Sequence, residues 1–99
     1  MKIKRIGVQE VDFDKYHEYR EEEVEALREY LKEEYEYSDP ESIEINSLDE
    51  WIEMTNMVYR IPDELEPAIN YEYLLNREVD EGTCNVFRVN NTVYLVFDG

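Results

Sequence analysis

Cysteine is nearly absent from this chain: Cys84 stands alone, so no internal disulfide can form and no cysteine cluster can hold a metal. Its setting in TCNVFRV reads as a small apolar strand residue, not a nucleophile. Glycine is scarce as well. The three glycines, Gly7, Gly82 and Gly99, are too scattered for a phosphate-cradling loop, and no GxSxG elbow is present. Histidine appears once. His17 and Glu21 share the i,i+4 spacing of a metal-binding pair, but HEYRE lacks the second histidine of HExxH, and two ligands do not make a site. No cofactor motif is readable. Long apolar runs are missing too: nothing reaches the roughly eighteen residues that a membrane span requires, and the start, MKIKRIGVQEVDFD, has no apolar stretch of the signal-peptide kind. The expectation is an intracellular protein with no membrane contact.

Positive charge is the other shortage. Ten Lys and Arg face twenty-six Asp and Glu, a net charge of −16, which repels phosphate and excludes direct nucleic-acid binding. Lys2, Lys4 and Arg5 form a basic tip too short to reverse that balance. With so many acids, some carboxylate pair will sit at any chosen distance, so paired carboxylates say nothing about hydrolytic chemistry. An enzyme is therefore not expected.

What is present is enough apolar material to fold. Hydrophobic residues make up 42% of the 99, and nine tyrosines, three phenylalanines and a tryptophan lift the chain above the composition of a disordered acidic tail. At this length residues 1–99 form a single domain with one modest core.

Local patterns predict an α+β fold: one long N-terminal helix and one or two short helices packed on a small antiparallel sheet that includes a C-terminal β-hairpin. KIKRIGV, residues 2–8, reads as an edge strand guarded by lysines. Asp12 or Asp14 would cap the long helix, which runs to about Tyr37 because Val24, Leu27, Leu31 and Tyr35 recur at spacings of three and four, with Phe13 and Tyr16 upstream. Ser38-Asp39-Pro40 would stop it. Ile43 and Ile45 alternate with Glu44 as a brief strand. Ser47-Leu-Asp-Glu50 is a capping box opening a short helix through Trp51, Ile52, Thr55 and Val58. Pro67 would fall in the first turn of a third helix carrying Ile69, Tyr73 and Leu74.

NVFRV, Asn90-Asn91 and TVYLVFD form a hairpin signal, since asparagine tolerates the positive φ of a type I′ turn. Pairing Val89 with Thr92 puts Cys84, Val86, Val93, Leu95 and Phe97 on one face, and Phe87, Val89, Tyr94 and Val96 on the other. Both faces are apolar. The second needs either another part of the chain or another subunit, so Phe87, Val89, Tyr94 and Val96 are the expected oligomer interface of a homodimer.

The segment EYREEEVEALREYLKEEYEY, residues 18–37, carries nine glutamates against three cations. Glu18, Glu22, Glu25, Glu29, Glu33 and Glu36 succeed one another at three- and four-residue spacing and would line one helical stripe, tempered by Arg28 and Lys32. Over eighteen residues the stripe would rise roughly 27 Å. Two explanations stand. Glutamate-rich faces are common on proteins of hot habitats, where they serve solvation and charge networks. Alternatively the stripe docks on a basic protein, in the sharpest version by imitating a phosphate backbone, with Asp39, Glu41, Glu44, Asp49, Glu50 and Glu53 completing it. The seven asparagines speak against extreme heat, while the single Gln9 and only three methionines speak for it.

Rich in Glu, Tyr and Ile, nearly free of Gln and ending in VFRVNNTVYLVFDG, the whole chain resembles the small acidic proteins of the filamentous viruses that infect acidothermophilic archaea. The resemblance is one of composition and size. It implies an intracellular viral protein of α+β fold, active in the host cytoplasm, and agrees with inhibition of a host nucleic-acid-handling protein. The expected function is thus non-catalytic binding of a basic protein; the alternative is a structural or assembly protein that dimerises through its hairpin.

Overall fold

The structure, a computed structural model, describes residues 1–37 and 39–97. Ser38 of the expected helix stop and the terminal Asp98-Gly99 lie outside the described residues. The regular elements are β1 (Ile3–Arg5), α1 (Glu21–Glu34), β2 (Glu44–Ser47), α2 (Leu48–Val58), α3 (Tyr71–Asp80), β3 (Cys84–Val89) and β4 (Thr92–Phe97). Short 3-10 turns occupy Val8–Glu10, Pro40–Ser42 and Asp63–Ala68. One antiparallel sheet has the strand order β1-β3-β4-β2, so the hairpin fills its centre and β1 and β2 form its edges.

The expected long N-terminal helix is not present. The longest helix has 14 residues and begins only at Glu21, so α1 differs little from α2 with 11 residues and α3 with 10. Residues 12–20 fail to join it because their polar groups are satisfied elsewhere. His17 donates from Nε2 to the Asp12 carbonyl at 2.8 Å, and the Arg20 amide donates to the Tyr94 hydroxyl at 3.0 Å. Tyr16 projects into solvent, 95% exposed. At the other end the helix stops at Glu34, followed by Glu36 in the left-handed region at φ 54°.

The shorter signals fare differently. Both bonds of the capping box form at α2: the Glu50 amide donates to Ser47 Oγ at 3.3 Å, and the Ser47 amide donates to Glu50 Oε1 at 2.9 Å. Pro67, expected in the first turn of the third helix, lies instead in the Asp63–Ala68 turn. α3 starts beyond it, where Asn70 Oδ1 accepts from the Tyr73 amide at 3.0 Å. The hairpin has the register read from its sequence, Val89 opposite Thr92. Its turn is not type I′, since only Asn90, at φ 55°, takes positive φ, whereas that turn needs two such residues.

Two cores flank the sheet. On one face Cys84, Val86, Val93 and Leu95 pack with Leu48 and Trp51 of α2, Leu75 of α3, and Ile6, Val8 and Val11 from the start of the chain. On the other, Val24, Leu27 and Leu31 of α1 close over Phe87, Val89, Tyr94 and Val96, together with Ile43 and Ile45. Tyr30 and Tyr35 add edge-on contacts to the Phe87 ring at 6.3 and 5.7 Å.

This corrects the reading of the hairpin's second face as an inter-subunit surface. Phe87 is 2% exposed, and Val89, Tyr94 and Val96 are fully buried within one chain. A dimer contact at the same place would have to displace α1 and expose Val24, Leu27 and Leu31, at a cost of roughly 1.5–3 kcal/mol for each.

Candidate functional site

Where β2 ends, opposite Tyr94, the next amide of β4 has no strand partner. His17 supplies one: its Nδ1 accepts from the Val93 amide at 3.0 Å while Nε2 donates to Asp12, which fixes the neutral tautomer. With both ring nitrogens engaged and the side chain 1% exposed, His17 is a structural buttress, whereas Glu21 lies exposed on α1. Among the described residues, no group of three or more His, Cys, Asp or Glu is placed to hold a metal ion. Cys84 is equally committed to structure. Burial first, and the Glu78 charge second, push its thiol up to about 12.

A second polar joint links α1 to the hairpin. The Tyr94 hydroxyl, accepting from the Arg20 amide, donates to Glu23 Oε1 at 2.8 Å, and Asn90 Nδ2 donates to Glu23 Oε2 at 3.3 Å. Burial, reinforced by the Glu23 carboxylate, raises the Tyr94 phenol well above its ordinary range. Glu23 is thus the one glutamate of α1 drawn inward. Nothing in its sequence setting, EEEVEA, distinguishes it from its neighbours, and only the position of the Tyr94 hydroxyl does.

The six glutamates of the expected stripe are not all on one helix. Glu22, Glu25, Glu29 and Glu33 are exposed on α1, whereas Glu18 precedes it in irregular backbone and Glu36 follows it beyond the turn into left-handed geometry. The helical part of the stripe therefore spans roughly 16 Å at 1.5 Å per residue. Arg28 and Lys32 sit beside it, in a shallow trough shared with Glu21, Glu25, Glu29 and Glu41, and Arg28 donates to the Ile43 carbonyl at 2.7 Å. The ion pairs Lys4–Glu10, Lys15–Asp12 and Arg77–Glu81 lie away from this trough.

Other acids gather on the opposite side of the sheet. Asp14, Asp49, Glu53, Asp63 and Glu66 line an open groove of about 840 Å³ between the 13–16 segment, α2 and the Asp63–Ala68 turn. Asp49 and Glu53, two of the residues expected to complete the α1 stripe, belong to this groove instead. The sequence gives no hint of the grouping, because its members come from three separate segments. No protein-family model, no curated protein and no solved structure matches the chain.

Proposed function

We propose that this chain is a non-catalytic binding protein that engages a basic protein through its acidic surface. The observation that supports the reading is the outward face of α1, where Glu22, Glu25, Glu29 and Glu33 stand exposed. Neighbours such as Glu25–Glu29 and Glu29–Glu33 at i,i+4 each cost the helix a few tenths of a kcal/mol, a penalty a basic partner would reverse. The inner face of the same helix is locked to the sheet by Val24, Leu27 and Leu31, so the charges are presented on a rigid support.

Docking on a basic protein surface fits this face better than full imitation of a phosphate backbone. Four carboxylates over roughly 16 Å give one charge per 5 Å or so, against one per about 1.7 Å of duplex axis. Glu41 extends the face, but Asp49 and Glu53 are on the far side of the sheet. The compositional likeness to small acidic viral proteins favours a host nucleic-acid-handling protein as the partner. The alternative, assembly through the hairpin, loses support because α1 occupies the face it would use.

The test is the charge-reversed variant with Glu22, Glu25 and Glu29 all changed to Lys, used beside wild type to capture partners from host lysate. A partner lost by the variant, released by added salt and displaced by duplex DNA would sustain the reading. Binding indifferent to both the triple change and salt would reduce the face to solvation.

A further inference from the structure

The groove on the α2 side differs in kind from the α1 face, because apolar side chains line it beside the acids. Phe13, Ile52, Met57 and Ile61 line it together with the five carboxylates, and Tyr16 lines it as well. Met57 is 73% exposed and Tyr16 95%, so neither is held by the core. Six of the ten exposed large hydrophobic residues, Met54, Met57, Val58, Tyr59, Leu65 and Tyr73, fall between positions 54 and 73. Of these Met57 lines the groove, joined there by the exposed Tyr16, whereas Tyr59 and Tyr73 line an adjacent hollow with Ala68, Ile69 and Leu74. Exposed methionine and tyrosine are the side chains that binding surfaces favour, the first for its adaptability and the second for large contact area at low entropy loss.

Charge decides the occupant. Against five carboxylates the groove lining holds two cations, Lys15 and Arg60, and the Lys15 ammonium is 3.7 Å from Asp12. A second copy of a chain of net charge −16 would bring like charge against like. Nucleic acid and an anionic membrane surface are repelled for the same reason. A basic protein segment satisfies both features at once, since arginine and lysine lay aliphatic stems on apolar surface while their heads reach carboxylates.

We propose that this groove takes a short amphipathic basic segment of a partner protein, its apolar side chains resting on Ile52, Met57 and Ile61 and its arginines reaching Asp14, Asp49, Glu53 and Asp63. The site goes beyond the α1 face and is independent of it, because the sheet separates the two and either can fail alone. An exposed aromatic in the lining adds cation–π contact for an arginine that passes Tyr16.

The probe is a fluorescein-labelled helical peptide with arginine on one face and leucine on the other, compared with a lysine peptide lacking leucine, read by anisotropy on the full chain. The double change Tyr16→Ala with Met57→Ser should weaken the arginine–leucine peptide about tenfold or more. Asp63→Lys, at another exposed position, should weaken it as well, and charge reversal at Glu22, Glu25 and Glu29 should alter it less than about threefold. Part of the affinity should persist in high salt, because apolar contact is not screened. The site is overturned if the peptide fails to bind, if it binds no better than the lysine peptide, or if the α1 variant alone abolishes binding. In that last case the α1 reading survives and only the groove is lost.

Discussion

Arg60 shows what a shortage of glycine does at a single residue. After α2 the Ile61 amide donates to the Asn56 carbonyl at 2.9 Å and the Arg60 amide to that of Met57 at 3.2 Å, the bond pattern of a Schellman end. Arg60 takes the left-handed position at φ 54°, where α3 uses Gly82 at φ 77° with an equivalent pair of bonds from Gly82 and Thr83. Arg60→Gly is expected to raise stability by about 0.5–1 kcal/mol and Gly82→Ala to lower it by about 1 kcal/mol, both read from urea midpoints. Tyr94→Phe should cost about 1–3 kcal/mol, because Glu23 then keeps only the Asn90 donor. Tyr94 and Cys84 also govern the alkaline limit. Each holds its proton more firmly folded than unfolded, so their contribution is complete below the thiol's ordinary 9.0 and is lost as pH rises toward about 12. Urea midpoints followed into the alkaline range should be flat near neutrality and then decline.

The elements divide by how far their signals reach. The capping box is complete within four residues, so α2 could be placed to the residue from Ser47 and Glu50, and Ser47→Ala should cost about 1 kcal/mol in a thermal melt or urea titration. The hairpin register is local too, set by the tight turn between Val89 and Thr92. By contrast the start of α1 is not legible in the sequence, since Phe13 and Tyr16 carry helical spacing while the groups that hold the 12–20 segment, Tyr94 and the Val93 amide, lie more than seventy positions away. Periodicity records which side chains could share a face, not which backbone groups a distant strand will claim. Pro67 misled for a related reason: its fixed φ suits a helix start and a 3-10 turn alike.

At the scale of the molecule, each face of the central hairpin is covered by the chain's own helices, and the net charge is −16. Both disfavour self-association. The chain should sediment as a monomer at micromolar concentration, with a scattering radius close to the 13.5 Å of its Cα trace, itself near the roughly 13 Å of a compact chain of this length. A dimer that vanishes on changing Val89 or Val96 would contradict the placement of α1 over that face.

By itself the sequence determined the acid excess, the two-sided apolar hairpin with its register and the start of α2, because composition and contacts within a few residues suffice for these. Tertiary structure decided the rest. It ended the glutamate stripe at Glu22 and Glu33, turned Glu23 inward to Tyr94 and brought α1 over Phe87, Val89, Tyr94 and Val96. It also gathered Asp14, Asp49, Glu53, Asp63 and Glu66 around one groove. Each of these depends on which distant segments meet across the sheet, and that follows from burying both faces of β3 and β4 at once, a requirement the whole chain meets and no short stretch of it encodes.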